Sequence, residues 1–231
     1  GETLELLGEL VKGQKDPAPF AVLRRFILEQ IEEGAGDDTF PIKPQRILRD
    51  VRNVMARDDI LISDVGTHKV WVARTFPAYE ANTVLISNGY AAMGFALPAA
   101  IAARLARPSQ RVIAVCGDGS FLMNVQELET AQRLGVALVC VIFRDGGYNL
   151  IEWKQQNQKG RTAGVRFGNP DFAALARAFG AKGITVGASR DLVPALREAI
   201  AHPGVAIVDV PVDYGENARL TARLGQLVCP I

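Results

Sequence analysis

The sequence predicts an α/β fold: a parallel sheet with helices on both faces. From Gln45 onward, short apolar runs of strand length alternate with segments of helical periodicity. Several of these runs are apolar throughout, which is typical of strands that are covered on both faces. Four of them end in a turn that places glycine beside Asp or Asn. The chain has 231 residues, of which 48% are hydrophobic, so it can bury a substantial core.

The first 39 residues differ from the rest of the chain. Residues 1–12 have the apolar pattern of the end of a helix, and a polar, Pro-containing linker follows. Helical periodicity then predicts an amphipathic helix over residues 20–33, and a second loop leads to residue 44. We therefore expect residues 1–39 to be the tail of a preceding unit with its linker. Residues 40–231 are expected to form the main domain with a C-terminal tail.

Strands and helices are then predicted in alternation. The strand-like runs are DILISD, TVLISN, RVIAVCGD, ALVCVIFRD, KGITVG and VAIVDV. The helical segments between them are residues 67–76, 91–106, 121–134, 149–158, 170–179 and 191–201. The polar run around Arg52, Arg57, Asp58 and Asp59 is interpreted as the solvated face of a helix.

Charge and cysteine content limit the possible partners. Lys and Arg number 26 and Asp and Glu 25, so there is no electrostatic reason to expect nucleic acid or an anionic membrane. No signal peptide is visible, and the longest weakly polar run, residues 90–103, is shorter than a membrane span. Cys116, Cys140 and Cys229 form no CxxC motif and are predicted to be free thiols. These features indicate a soluble, cytoplasmic protein.

The four glycine-bearing turns are predicted to meet at one edge of the sheet. They are Asp64-Val65-Gly66, Ser87-Asn88-Gly89, Gly117-Asp118-Gly119 and Asp145-Gly146-Gly147. The carboxyl ends of parallel strands lie on the same edge, where open α/β sheets bind their ligands. Glycine allows a ligand to approach the backbone closely, and the N-terminus of the next helix favours an anion.

Two acidic residues at this edge predict a metal site. Asp145 follows Asp118 by 27 positions, and each comes directly after a strand-like run. The interval accommodates a helix and a strand, so the two carboxylates should come from neighbouring strands. Carboxylate oxygens, a backbone carbonyl and phosphate oxygens are typical ligands of Mg²⁺. With helix starts expected at Ser120 and Asn149, the pattern predicts a site for a metal and a diphosphate, although Gly-Asp-Gly alone is common in ordinary turns.

The same residues resemble a known cofactor motif. GDGS followed by the Asp145 turn is similar to the thiamine-diphosphate motif, in which Mg²⁺ holds the cofactor's diphosphate. Residues 63–105 and 117–131 resemble the acetolactate synthase family, and residues 168–183 and 211–217 are most similar to its catabolic, FAD-independent members. The resemblance covers residues 40–220. It implies the diphosphate-binding domain of such enzymes, preceded by the tail of their central domain.

The resemblance implies a role for each matching residue. Asp118, Asp145 and the carbonyl of Gly147 would bind Mg²⁺. The residues that would contact thiamine diphosphate are His68, Gly89, Tyr90, Ala91, Met93, Gly117, Gly119, Ser120 and Asn149. Met93 would be the apolar wedge that bends the cofactor, and Gly119 and Ser120 would donate to the diphosphate. Considered without the resemblance, Met93 is an ordinary core residue of a helix. The alternative for His68 is an ordinary histidine at a helix start, although its place directly after one of the four turns favours a functional role.

One departure from the family leaves alternatives open. Where the family usually has Asn-Asn, this chain has Arg144-Asp145. The aspartate keeps a hard oxygen ligand for Mg²⁺ but adds a negative charge. Arg144 either offsets that charge or points to solvent. Asn149 is a rival ligand, although it should already lie inside the next helix.

The implied activity is that of an acetolactate synthase dependent on thiamine diphosphate and Mg²⁺. Such an enzyme decarboxylates pyruvate and condenses the resulting enamine with a second 2-oxo acid, the cofactor supplying the carbanion. The glutamate that activates the pyrimidine belongs to a separate domain that we do not find here, so no catalytic residue is assigned. We expect a fragment or one half of a split enzyme, inactive alone, from a homodimer or homotetramer.

Other functions remain open from the sequence. One is a different thiamine-diphosphate decarboxylase or carboligase acting on 2-oxo acids. Another is a non-catalytic domain used for cofactor binding or assembly. A nicotinamide-binding domain is disfavoured, because no GxGxxG motif follows an early strand.

Overall fold

A parallel six-stranded sheet forms the centre of the computed structural model, which describes residues 18–218 and 220. The strands are β1 Ile60–Ser63, β2 Val84–Ile86, β3 Val112–Gly117, β4 Leu138–Arg144, β5 Lys182–Thr185 and β6 Val205–Pro211. Their order across the sheet is β2-β1-β3-β4-β6-β5. All six predicted strands are confirmed, and so is the α/β fold class.

The strand order contains a topological switch point. From β1 the chain crosses to β2 on one side and then returns to β3 on the other side of β1. The next strand, β4, pairs with β3 in a register that aligns Gly117 with Phe143. Crevices at the carboxyl ends of strands beside such a switch point are where open α/β sheets bind ligands. The ends of β1, β3 and β4 therefore frame the expected site.

Helices cover the sheet on both faces. They are α1 Ala18–Glu32, α2 Pro44–Val54, α3 Thr67–Thr75, α4 Ala96–Ala106, α5 Asp118–Met123, α6 Glu127–Arg133, α7 Asn149–Lys159, α8 Phe172–Ala178 and α9 Leu192–Ala201. Along β3, Ile113 and Val115 join a core with α2, α3 and α9, while Ala114 and Cys116 join a second core with α4, α6 and α8. This alternation explains why β3 is apolar at successive positions. None of the helices in the described residues combines the length and apolar composition needed to cross a bilayer.

Two predicted helices have different bounds in the structure. The helix expected over residues 91–106 begins only at Ala96, because Ala91 and Gly94 adopt positive φ angles of 51° and 86°. Met93 therefore lies in a loop, and its expected place in a helix is wrong. The helix expected over residues 121–134 is divided into α5 and α6. It breaks at Asn124, whose side-chain Nδ2 donates to the Gly94 carbonyl at 2.9 Å.

The interpretation of Arg52, Arg57, Asp58 and Asp59 as a solvated helix face is wrong in part. Arg57 and Asp58 are exposed, but they lie in a turn beyond the end of α2 at Val54. Arg52 and Asp59 are buried. The guanidinium of Arg52 lies over the ring of Phe76 at 5.3 Å, and Asp59 forms an ion pair with Arg111 at 2.6 Å. Arg52 is thus placed against an aromatic face, an arrangement that sequence periodicity does not reveal.

The N-terminal region is described only in part. The predicted amphipathic helix is present as α1, and its apolar side chains, among them Phe20 and Leu23, are exposed. The helix expected over residues 1–12 lies outside the described residues, as does Cys229. Ile42 forms a parallel bridge with Val212. The chain thus joins the sheet region close to the predicted boundary at residue 40, which remains a prediction.

Candidate functional site

A cavity of about 100 Å³ opens where β1, β3 and β4 end. It is lined by residues 65–68, Met93, residues 117–120, Asp145, residues 147–151 and Tyr214. Most of the residues predicted for the site meet here: His68, Met93, Gly117, Asp118, Gly119, Ser120, Asp145, Gly147 and Asn149. The order of the strands brings them together from four separate segments, which follow β1, β2, β3 and β4.

The carboxylate of Asp118 joins three segments at the base of the cavity. Asp118 is buried at the start of α5. Its Oδ1 accepts a hydrogen bond from the N–H of Gly119 at 2.8 Å. Its Oδ2 accepts from the N–H groups of Asp145 and Gly146, at 3.1 and 2.7 Å, and from Nδ2 of Asn169 at 2.7 Å. The Asp118 side chain therefore lies directly against the turn that carries Asp145.

The carboxyl group of Asp145 is buried beside a second acid, and the positive charge near it does not fully offset their repulsion. Its Oδ2 is buried and has no hydrogen-bond partner within the described chain. Burial, and then the negative charge of Asp118, raise the pKa of Asp145 to about 7. The nearby Arg166 and a hydrogen bond from Asn149 act in the opposite direction. A bound cation would relieve the repulsion that remains between the two carboxylates.

The cation beside Asp145 is Arg166 and not Arg144. The Nε of Arg144 donates to Asp209 at 2.7 Å, so this guanidinium neither offsets Asp145 nor points freely to solvent. Arg166 donates from Nη1 to the Asp145 carbonyl at 2.9 Å and lies 3.9 Å from Asp145 Oδ2. It also forms an ion pair with Glu152. The sequence carried no signal for Arg166, because it lies in an irregular loop.

Asn149 belongs to a hydrogen-bond network that sequence reasoning missed in part. Its Oδ1 accepts from Thr67 Oγ1 at 3.0 Å and from Asn217 Nδ2 at 2.8 Å. Oδ1 of Asn217 in turn accepts from Trp71 Nε1 at 2.9 Å. The side-chain oxygen of Asn149 is thus already occupied by two donors, whereas Asp145 Oδ2 is not. Asn217, buried beside the cavity, links α3 to α7.

His68 is buried in the cavity wall as a neutral side chain. Burial lowers its pKa to about 4, although a hydrogen bond to the Asp64 backbone opposes the shift. Its Nε2 has no partner among the residues described. A Cβ added at Gly66 would lie 2.7 Å from the His68 ring, and one added at Gly117 would lie 3.2 Å from it. The two glycines therefore allow the imidazole to lie against the backbone of both turns.

The rings of Tyr148 and Phe167 pack closely against the backbone of the turn at Gly119. A Cβ at Gly119 would lie 2.8 Å from Tyr148 Cε1 and 3.0 Å from Phe167 Cζ, whose rings are 4.8 Å apart. The hydroxyl of Ser120 accepts from the N–H of Gly117 at 3.0 Å and donates to its carbonyl at 3.1 Å. The Ser120 side chain therefore caps its own turn.

The loop that carries Met93 is held by a buried acid. Asp64, at the end of β1, accepts from the N–H of Gly94 at 3.0 Å and from that of Ala96 at 2.9 Å. Asp64 belongs to one of the four predicted turns, but its hydrogen bonds to the loop of Met93 were not predicted from the sequence. Gly89 and Tyr90 are exposed on the loop after β2, with Ala91 following on the same loop. The structure thus does not bring these last three residues into the cavity wall.

Comparison with known proteins decides the family. The model of the family described as "Thiamine pyrophosphate enzyme, C-terminal TPP binding domain" matches residues 64–210, which run from the end of β1 into β6. The chain belongs to the thiamine pyrophosphate enzymes. The match includes both acidic turns of the cavity.

Among these thiamine pyrophosphate enzymes, several acetolactate synthases are similar to the chain. The catabolic acetolactate synthase of Raoultella terrigena is 41% identical over 83% of this chain and 34% of its own length. The acetolactate synthase of Bacillus subtilis is 39% identical, over 78% of this chain and 31% of its own. The resemblance to this family is therefore confirmed. The chain spans about a third of the length of these relatives.

A solved structure of another thiamine pyrophosphate enzyme supports the fold. The thiamine diphosphate-dependent 4-hydroxybenzoylformate decarboxylase of Rhodococcus jostii RHA1 superposes with a TM-score of 0.71 at 24% identity. The alignment covers 76% of this chain and 33% of that one. At this level of identity the similarity shows a shared fold.

Proposed function

We propose that this domain binds thiamine diphosphate through a Mg²⁺ ion. Its ligands are the carboxylates of Asp118 and Asp145 and the backbone carbonyl of Gly147. The observation that carries the proposal is the buried Oδ2 of Asp145, which lacks a hydrogen-bond partner in the described part of the chain and lies beside a second acid. A buried carboxylate oxygen is unfavourable unless a cation or a donor satisfies it.

The donors available fit a magnesium ion. The described residues contain no group of three or more His, Cys, Asp and Glu side chains that could hold a metal without other ligands. Asp118 and Asp145 can therefore supply only two side-chain ligands. Two carboxylates and a carbonyl, completed by phosphate and water oxygens, form the incomplete protein set that Mg²⁺ usually accepts. The occupied oxygen of Asn149 favours Asp145 over Asn149 as the second side-chain ligand.

The remaining cavity residues would bind and orient the cofactor. Bound thiamine diphosphate supplies the carbanion for cleavage and formation of carbon–carbon bonds. The backbone of Gly117, Gly119 and Ser120 would face the diphosphate at the start of α5. The side chain of Met93 would support the bent cofactor from the loop that Asp64 holds, and neutral His68 would accept a hydrogen bond through Nε2. The loop at residues 89–91 would contact the pyrimidine.

We further propose the reaction of the complete enzyme. It decarboxylates pyruvate or a related 2-oxo acid and joins the remaining fragment to a second 2-oxo acid. The support is the similarity to the acetolactate synthases of Raoultella terrigena and Bacillus subtilis. In this proposal residues 40–231 are the diphosphate-binding domain, and residues 1–39 are the tail of a central domain. A pyrimidine-binding domain is also required, so the isolated chain has little activity.

Cofactor binding can be tested on the chain as it is. Thiamine diphosphate is titrated calorimetrically into wild type and into Asp118→Ala, with Mg²⁺ or with EDTA. We expect binding by wild type only with Mg²⁺, and its loss in Asp118→Ala, because one of the two acidic ligands is missing. Asp171→Ala is the matched control, since Asp171 caps α8 through the N–H of Ala174. Binding that is equal with and without Mg²⁺, or that survives in Asp118→Ala, would contradict the proposal.

The reaction can be tested by product analysis. We expect the full-length protein to convert pyruvate to acetolactate, and the 231-residue chain alone to form at most traces. Acetaldehyde as the main product would instead indicate a simple decarboxylase. Full turnover by the isolated chain would refute the requirement for a further domain, and cofactor binding without turnover by the full-length protein would indicate a binding or assembly role.

Two further properties belong to the same proposal. A homodimer or homotetramer is expected for the full-length enzyme, and sedimentation analysis would measure it. A cytoplasmic location is expected because Cys116 and Cys140 are buried as free thiols. Fractionation of cells expressing the tagged full-length protein would test the location.

A further inference from the structure

We propose that Asn169 is a positioning residue for the cation. It fixes the carboxylate of Asp118 so that Oδ1, and not Oδ2, faces the ion. This inference rests on the function proposed above. It concerns a side chain 51 positions away from the acid that it contacts.

The two oxygens of Asp118 are not equivalent. Oδ2 accepts three hydrogen bonds, from the N–H groups of Asp145 and Gly146 and from Nδ2 of Asn169. Oδ1 accepts one, from the N–H of Gly119 in its own turn. A carboxylate has about four acceptor positions shared between its oxygens, so Oδ2 is saturated while Oδ1 can still accept. The oxygen left for a metal is therefore Oδ1.

Among the described residues, Asn169 is the one that binds Asp118 through a side-chain donor. The other donors to Asp118 found in the described residues are backbone N–H groups, which every residue type except proline provides. Asn169 comes from the loop before α8, so it links a third segment to the turns after β3 and β4. Without the Asn169 donor, Oδ2 keeps only the two backbone hydrogen bonds from the turn after β4, so the carboxylate is held from fewer directions and can rotate more easily. The orientation toward the ion is then less well defined.

A second observation separates this role from simple packing. The Oδ1 of Asn169 is buried and has no hydrogen-bond partner within the described chain. An unsatisfied buried oxygen makes the asparagine a poor choice for stability alone. Its replacement by alanine removes this unsatisfied oxygen together with one of the three donors to Asp118 Oδ2, and the two backbone donors remain. The metal-free protein should therefore lose little stability, while binding of the metal weakens.

The experiment compares metal affinity with metal-free stability. Mg²⁺ is titrated into Asn169→Ala, Asn169→Asp and wild type at saturating thiamine diphosphate, and the half-saturating concentration is measured. Thermal unfolding is recorded in EDTA without cofactor. We expect the half-saturating Mg²⁺ concentration to rise about tenfold in Asn169→Ala, as is usual when a residue that orients a metal ligand is lost. Asn169→Asp should lose at least as much, because it places an acceptor against Oδ2.

Asp171→Ala serves as the control from the same loop. It removes the cap of α8 but no contact to Asp118, so we expect a lower unfolding temperature with unchanged Mg²⁺ affinity. Unchanged affinity in Asn169→Ala would overturn the inference. So would a loss of affinity accompanied by a fall in metal-free unfolding temperature as large as that of the control, because Asn169 would then be structural. If wild type itself shows no Mg²⁺-dependent binding, the proposed function fails and the inference fails with it.

Discussion

The raised pKa of Asp145 predicts a specific pH dependence of stability. The carboxyl has a pKa of about 7 in the folded chain, against an ordinary value of 3.8. Between these values the folded state holds a proton that the unfolded state has released. The free energy of unfolding must therefore fall as the pH rises, and the loss is complete only above the folded pKa. A difference of about three units corresponds to at most about 4 kcal/mol.

Asp145→Asn is the variant that isolates this contribution. The amide has nearly the same shape but does not ionise, so the variant should not share the loss. Between pH 5 and pH 8, we expect metal-free wild type to lose about 3 kcal/mol more of its unfolding free energy than Asp145→Asn. Urea unfolding in EDTA at pH 5, 6, 7 and 8 measures both.

An exposed carboxylate supplies the control. Asp58 is exposed, and Asp58→Asn should keep the pH slope of wild type. Other buried acids contribute to the total slope, so the decisive quantity is the difference between variants. Parallel stability curves for wild type and Asp145→Asn from pH 5 to pH 8 would refute the reasoning, because Asp145 would then not carry the repulsion that a metal relieves.

Three other substitutions test the framework of the site. Asn217→Ala leaves the indole N–H of Trp71 without its acceptor, and urea unfolding should show a loss of about 2 kcal/mol. Gly183→Ala places a Cβ 2.4 Å from the carbonyl oxygen of Ala173 in α8, so we expect about 3 kcal/mol lower stability by the same measurement. Asp64→Asn replaces an acceptor of the Ala96 N–H by a donor, and calorimetry should show weaker binding of thiamine diphosphate.

The sequence predicted the sheet and its functional edge because the signals for both are local. Strands covered on two faces must be apolar along their length, as β3 and β4 are. The acids Asp118 and Asp145 stand directly after those strands. Parallel pairing of β3 with β4 then brings their ends together, so their proximity followed from the fold class.

The helix bounds near the site could not be predicted in the same way. Residues 91–95 have a helical apolar pattern, but Gly94 has a positive φ and its N–H is bound by Asp64. The break between α5 and α6 depends on Asn124, whose partner, the Gly94 carbonyl, is 30 positions earlier. These contacts are non-local, and periodicity within one segment contains no information about them.

The sequence by itself thus determined which strands form, which edge of the sheet carries the glycine-bearing turns and which two acids meet there. Each of these follows from residues that are close together in the chain. Only the tertiary structure decided that Asn169 restrains Asp118, that Arg166 and not Arg144 stands beside Asp145, and that Asn217 occupies the oxygen of Asn149. The physical reason is that a hydrogen bond between side chains needs atoms within about 3 Å. For residues from distant loops, that closeness is set by the packing of the whole domain.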